Sequence, residues 1–360
     1  MNVHLELLRA NTPLIDLRSP IEFAKGTFLQ SVNLPILNND ERAKIGKTYK
    51  HQGNDAAVKL GHRLVSGDQK ENRVSGWKEF IEKNPSTWMY CMRGGQRSNI
   101  AQDWLEDIGI NVSVIEGGYK ALRRTSLKIL DSVNEDDKRW IILGGRTGTG
   151  KTVILNQIAS SIDLEHHAEH RGSAFGGFFL PQPTPIDFEN RLATDYLRHE
   201  NQTLFMEDES RTIGRVAIPN TWFHRMQESE LVLIETSVEE RIHNIVEDYI
   251  LTPLREGISM TDLLLSLRSS LLKIQRRLGG DLFREIRNKM DRAFLDPINY
   301  GFTESIYRYR ILRKKYPKIE ILMGTGNVTE LTDADTAGMN ALLIGIATEL
   351  NINNVLVVQV

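Results

Sequence analysis

Trp140-Ile141-Ile142-Leu143-Gly144-Gly145-Arg146-Thr147-Gly148-Thr149-Gly150-Lys151-Thr152 is the stretch on which the fold turns. Gly145 to Thr152 satisfies G-x4-G-K-[ST]. It follows an apolar strand and precedes the helical apolar positions Val153, Ile154, Leu155 and Ile158, the context a phosphate loop needs. Gly145, Gly148 and Gly150 let backbone N–H groups converge on a diphosphate. Lys151 neutralises it, and Thr152 is placed to ligate Mg²⁺. Thr203 to Met206 and Leu231 to Ile234 read as further strands, so the segment is an α/β layer. Glu207-Asp208-Glu209-Ser210-Arg211 follows the first of them. It supplies either an acidic group beside a metal or an acidic turn capping a helix. His170 and Arg171 are read as lining an anion site. H-E-x-x-H is absent, and His166, His167 and His170 do not make a zinc set by spacing, so no resident metal is expected.

Working upstream, strands and helices alternate again. Leu14 to Leu17, Ser31 to Pro35, Thr87 to Tyr90 and Val112 to Ile115 are short apolar runs. Ile100, Ala101, Trp104, Leu105 and Ile108 recur at helical spacing. The pattern predicts a parallel α/β sheet. Cys91-Met92-Arg93-Gly94-Gly95-Gln96-Arg97-Ser98 lies at the junction of a strand and a helix. A cysteine there sits inside a ring of N–H dipoles. Those dipoles, with Arg93 and Arg97, favour the thiolate and would hold an oxyanion. Gly94 and Gly95 permit the backbone angles of such a cradle, and Ser98 is placed to cap the helix. A buried, inert cysteine is the plain alternative. The Cys91 to Arg97 spacing also fits the C-x5-R loop of cysteine phosphatases, although Tyr90 stands where those enzymes carry histidine.

The chain has 360 residues, 40% apolar and 26% charged, with a net charge of −2 and one cysteine. This excludes a largely disordered chain, an intrachain disulfide and a multi-cysteine metal site. No apolar run approaches the roughly 20 residues of a membrane span, and no secretory signal is seen, so a reducing, cytoplasmic setting is expected. Asn134 to Arg139 reads as a charged linker. From Glu239 to Phe294 the pattern is helical, with Leu264, Leu267, Leu271, Ile274 and Leu278 as one stripe. Residues 249–320 hold 15 basic against 8 acidic residues, a balance that suits an RNA backbone.

The first region resembles a rhodanese domain, and specifically that of the tRNA 2-selenouridine synthase family. The likeness rests on Leu14 to Phe23, Val32 to Pro35, Glu41-Arg42, Gly46 to Lys50, the cysteine loop and Gly117 to Ala121. It continues through the phosphate loop, His170 to Gly176 with Ser173, Glu207 to Arg211, and Leu271 to Gly280, and fades near Phe294. Leu295 to Phe302 and Met323 to Thr332 instead resemble a dihydropteroate-synthase-like barrel protein. The expected organisation is therefore α/β throughout: a rhodanese-like domain over 1–133, a P-loop domain with a basic helical extension over 134–294, and a foreign-looking βαβ tail over 295–360.

The family resemblance implies exchange of sulfur for selenium in wobble 2-thiouridine of tRNA. Selenophosphate would be the donor, and geranyl diphosphate would first alkylate the sulfur. No tightly bound cofactor is implied, and the partners would be tRNA and a selenophosphate-supplying enzyme. Phe175, Phe178 and Phe179 are candidate prenyl contacts. Two other readings stay open from the residues alone: a sulfurtransferase or cysteine phosphatase with a regulatory ATPase domain, and a nucleotide-gated RNA-binding scaffold.

Overall fold

The computed structural model describes residues 2–177 and 181–295, together with 310, 313–315, 317–318, 322–324 and 354–356. The chain forms two compact units, Met1–Leu251 and Thr252–Val360.

The first unit opens with α1 (Val3–Arg9) and β1 (Leu14–Asp16). Then come α2 (Pro20–Phe23), β2 (Ser31–Asn33) and the helices α3 (Asn39–Gln52), α4 (Asn54–Leu64) and α5 (Asp68–Lys83). β3 (Trp88–Tyr90), α6 (Gln96–Glu106), β4 (Ser113–Val114) and α7 (Gly118–Asp131) complete the layer. Its sheet has the order β2-β1-β3-β4 and all pairings are parallel. The strands are only two or three residues long. β1 is buried along its whole length, with Asp16 at its end paired to the buried Arg18 at 2.6 Å, and β3 is buried at Met89 and Tyr90.

β5 (Arg139–Gly144) begins the second layer. It continues through α8 (Lys151–Leu155), β6 (Ser161–Ile162), α9 (Leu164–Ala168), α10 (Pro185–Arg198), β7 (Thr203–Glu207) and the hairpin of β8 (Thr212–Ile213) with β9 (Val216–Ala217). α11 (Asn220–Glu228), β10 (Glu230–Leu233) and α12 (Val238–Val246) follow. The sheet order is β10-β5-β7-β6, again parallel. The helix after the phosphate loop is shorter than the apolar positions suggest. It stops at Leu155, with Val153 and Ile154 exposed.

The expected linker is not a linker. Residues 132–135 form a 3-10 turn, and Asp136 accepts from Tyr196 Oη and, at 3.0 Å, from Arg225 Nη1. The 133/134 boundary marks no gap in packing either. One apolar core runs through both layers, joining Leu8, Leu14, Tyr90, Tyr119 and Leu122 to Trp140, Phe188, Leu192 and Trp222. Polar contacts reinforce it. The Thr27 N–H donates to Asp187 Oδ1 at 2.7 Å, and Asn190 Nδ2 donates to the Thr27 carbonyl at 2.8 Å.

This shared core fixes the relative direction of the two sheets. α7 starts at the cysteine loop, at the carboxyl end of β3, and ends near α11, where Thr221 donates to the Leu130 carbonyl. The chain then enters β5 at its amino end. α10 packs along α7. Its first turn lies at Thr27, and the preceding Gln182 donates to the Ala168 carbonyl beyond β6. Its last turn lies at the foot of the first sheet, where Arg198 donates to Leu8 O and Asn11 Oδ1. Both helices therefore run from the carboxyl edge to the amino edge. The carboxyl ends of β3 and β5 face the same end of the unit.

In the second unit, α13 (Thr252–Arg255), α14 (Met260–Lys273), α15 (Gln275–Leu278) and α16 (Gly280–Leu295) follow in order. The stripe read through Leu278 is interrupted. α14 ends at Lys273, and Gly279 adopts a positive φ of 78° that breaks the helix again. Lys273, Arg276, Arg277, Arg284, Arg287 and Lys289 are exposed. β11 (Leu322–Gly324) and β12 (Asn354–Leu356) pair in parallel. Most of the tail expected to be foreign lies outside the described residues. No described helix is long and apolar enough to cross a membrane.

Candidate active site: a thiol loop and a phosphate loop on one edge

Cys91 directly follows β3 and is 4% exposed. The loop turns at Gly94, whose φ is 61° and whose Cβ would stand 2.4 Å from the Ile115 carbonyl oxygen. Gly118 (φ 56°) backs onto it, and a Cβ there would meet Cys91 O at 2.3 Å. Only glycine fits either position. Gly95 is different: its φ is −114° and the space beside it is open. No N–H of residues 92–97 donates to a backbone carbonyl among the described residues, and those of Arg93 and Gly95 bond the Cys91 sulfur. The N–H groups left without a backbone acceptor are those an oxyanion cradle would use.

Burial pushes the Cys91 thiol up. The Ser98 hydroxyl, the Arg93 and Gly95 backbone and the Arg97 charge outweigh it, and the thiol is held below its usual value. Ser98 does not cap α6, since Gly95 holds the N-cap position without any side-chain bond. Its hydroxyl is fully buried, makes no hydrogen bond to oxygen or nitrogen, and is turned to the sulfur. Arg93 is exposed at the mouth. Arg97 is pinned, donating from Nη1 to Glu22 Oε2 at 2.8 Å. Glu22 also accepts from the Ser19 N–H and Oγ, both at 3.1 Å, and pairs with Arg42 at 3.3 Å. Burial alone would raise the Glu22 carboxyl, but Arg97, Ser19 and Arg42 bring it down to about 2. Sequence reasoning missed Glu22 as a site residue, although it stands in the Arg18-Ser19-Pro20-Ile21-Glu22 turn on which the resemblance rests. Tyr90 is wholly buried and donates to Ser31 Oγ at 2.9 Å, so it belongs to the core.

The phosphate loop has the expected form. Gly148 and Gly150 have φ of 82° and 84°. The N–H groups of Gly150, Lys151 and Thr152 have no protein acceptor among the described residues. Lys151 Nζ rests on the Gly145 carbonyl at 2.8 Å. α12 braces the outer side of the loop: Arg241 Nε donates to Thr147 O at 3.0 Å and Asn244 Nδ2 to Gly148 O at 2.8 Å. The Thr149 N–H is engaged by Arg146 O at 3.2 Å, so the N–H groups left for an anion are those of residues 150–152.

Beside Lys151 lies a carboxyl pair that was only half foreseen. Glu209 is pushed up to about 8, first by burial and then by the Glu165 charge and a hydrogen bond to it. Glu165 is raised as well, chiefly by burial, and Thr152 Oγ1 lies 3.5 Å from its Oε2. One proton is shared across the pair. Glu207 is 1% exposed, accepts from the Glu165 N–H at 2.8 Å, and is raised well above the carboxylate range by burial. Nothing in the spacing of Asp163-Leu164-Glu165-His166 marks Glu165, because it enters from a different strand end.

Not every candidate converges. Asp208 is exposed and only its N–H is engaged, to Leu143 O at 2.9 Å. Arg211 is exposed and donates to Asn220 Oδ1 at 2.7 Å, away from the loop. Arg171 donates to Asp248 O at 2.5 Å and lies over the Tyr249 ring in the segment after α12, and its charge also acts on Glu165. Ser173 Oγ is 2.9 Å from Tyr249 Oη. The His170 N–H donates to Glu165 O at 3.1 Å, which places it behind the carboxyl pair. Of the three phenylalanines, Phe178 and Phe179 lie outside the described residues. His167 and His199 both pair with Asp195, at 2.7 and 3.4 Å, a structural triad. No group of three or more metal-ligating side chains is found among the described residues.

A thiol cup and a phosphate loop on one edge of a fused α/β unit define a rhodanese joined to a P-loop domain. The rhodanese-like domain model matches residues 3–125, and the tRNA 2-selenouridine synthase AAA domain model matches residues 138–312. The chain belongs to the tRNA 2-selenouridine synthase family. It is 44% identical over 303 residues to the tRNA 2-selenouridine synthase of Marinobacter nauticus, covering 81% of this chain and 82% of that one. It is 41% identical over 341 residues to that of Nitrosomonas europaea (86% and 88%). It is 40% identical over 344 residues to that of Shewanella denitrificans (92% and 94%). The AAA-domain match runs to residue 312, past Phe294, near which the sequence likeness fades. Residues 295–312 carry no glycine loop or paired-charge motif by which their membership could be read.

Proposed function

We propose that this chain replaces sulfur by selenium at position 2 of a wobble 2-thiouridine in tRNA, in two steps on one edge. The observation that carries the proposal is the common carboxyl edge of β3 and β5, where Cys91 and Lys151 are presented by layers that share a core. In the first step the phosphate loop holds geranyl diphosphate. The sulfur of the nucleoside attacks the first carbon of the prenyl chain, a C–S bond forms, and the C–O bond to diphosphate breaks. Lys151 and the N–H groups of residues 150–152 take up the charge on the leaving diphosphate. Thr152 and the Glu165–Glu209 pair offer hard oxygen donors, so Mg²⁺ accompanying the diphosphate would be held there.

In the second step the selenium of selenophosphate adds at C2 and the alkylated sulfur leaves as a thiol. Water then cleaves the Se–P bond to give phosphate. The thiol loop suits this step because the N–H groups of residues 92, 94, 96 and 97, which have no backbone acceptor among the described residues, would hold a tetrahedral oxyanion beside Cys91. Arg97 is turned into Glu22 rather than into the cup, which argues against the phosphatase reading. Exposed Lys273, Arg276 and Arg277 give the second unit a basic face for the RNA backbone.

Mass analysis of nucleosides from 2-thiouridine tRNA, incubated with enzyme, selenophosphate and geranyl diphosphate, tests the reading. Selenouridine formed only when both small substrates are present is expected. Nucleotide hydrolysis with no change in the nucleoside would refute it.

A further inference from the structure

The hairpin of α3 and α4 encloses a cavity of about 960 Å³ that opens onto Cys91. That is near the upper end for small-molecule sites, and far more than selenophosphate would fill. The lining divides into two chemistries. Ile36, Ala57 and Val65 are buried in its floor, with Ile45, Val58 and Ile100 beside them. Arg42, Lys47, Lys50 and Arg93 stand on its rim. Among the described residues that line it, Glu22 is the one acid, and Ser19, Arg42 and Arg97 already occupy its oxygens. Tyr49, also on the rim, is 60% exposed and presents a ring to solvent.

A cationic rim with an exposed aromatic suits a single-stranded nucleotide, whose phosphates are anionic and whose base can stack. Neither feature requires an apolar floor of this size beneath it. A nucleotide carrying a hydrocarbon substituent uses all three. We propose that this cavity receives the hydrocarbon on the sulfur of the alkylated wobble nucleoside, while Arg42, Lys47 and Lys50 hold the flanking phosphates. The inference rests on the alkylated intermediate of the proposed function. It adds where the chain is housed: in the rhodanese layer beside the thiol, with the phosphate loop left to the diphosphate.

The test uses the full-length wild-type enzyme and an anticodon stem-loop RNA. Its 2-thiouridine carries a ten-carbon chain bearing a photoreactive diazirine. Irradiation followed by peptide mapping is expected to place adducts within residues 39–65. Adducts confined to residues 171–182, or none while the RNA is converted, would overturn the inference. Adducts in the hairpin with no conversion to selenouridine would uphold the binding site and refute the reaction instead. A second measurement compares binding of alkylated and unalkylated RNA to Val58→Trp, which sets a bulky ring into the cavity wall. The preference for the alkylated RNA should fall about tenfold or more, equivalent to about 1.4 kcal/mol. A preference equal to wild type would contradict the proposal.

Discussion

Arg97 Nη1 donates to Glu22 Oε2 at 2.8 Å, so the arginine whose charge acts on the thiol is held by a carboxylate from α2. The pair joins the short helix α2 to the first turn of α6, 75 residues apart in the chain. It positions a positive charge beside Cys91 without sending the guanidinium into the cup.

Acid stability follows from that pair. The Glu22 carboxyl is lowered in the folded state to about 2. A lowered folded value contributes stability that is complete above the unfolded value, near 4.5, and is lost as pH falls toward 2. Glu22→Gln should cost about 1–3 kcal/mol at neutral pH and flatten the wild-type decline between pH 4.5 and 2. Urea unfolding across that range measures both. A decline as steep in the variant as in wild type would place the acid sensitivity elsewhere.

The buried Ser98 hydroxyl acts on sulfur alone. Ser98→Ala should raise the midpoint of the pH profile of Cys91 alkylation by iodoacetamide and leave diphosphate binding unchanged. A rate profile identical to wild type would mean that the backbone N–H ring suffices.

The Glu165–Glu209 pair predicts pH-dependent anion binding. Glu209 holds its proton up to about pH 8. Below that value the pair carries at most one negative charge beside Lys151; above it, both carboxyls ionise and repel a diphosphate. Affinity for inorganic pyrophosphate, measured by calorimetry, should fall as pH rises through 8. Glu209→Gln should remove most of that fall. A pH-independent wild-type affinity would contradict the shared proton.

The legible parts of the molecule are those where local sequence and chemistry coincide. Gly145 to Thr152 and the Cys91 to Ser98 loop are each built from consecutive residues, so spacing alone revealed them, and Gly94 carries the positive φ expected of it. Glu22 and Glu165 were invisible as site residues because they arrive from other elements, and no periodicity marks a residue that acts across a sheet edge. The charged run Asn134 to Arg139 misled for a related reason. Its polarity reads as solvent exposure, yet Asp136 is consumed by Tyr196 and Arg225, partners more than 50 residues away in the chain. The fusion of the two layers into one core was hidden likewise. α7 and α10 each bury a face, and composition cannot say that they bury it against each other.

The central claim is that the thiol and the phosphate loop act in turn on one nucleoside. Nucleoside mass analysis of two variants, each given 2-thiouridine tRNA, selenophosphate and geranyl diphosphate, tests it most directly. Cys91→Ala should accumulate the alkylated nucleoside and form no selenouridine. Lys151→Ala should form neither, yet should produce selenouridine when supplied with tRNA already alkylated at sulfur. Selenouridine from Cys91→Ala at the wild-type rate, or failure of Lys151→Ala to convert the pre-alkylated tRNA, would contradict the account.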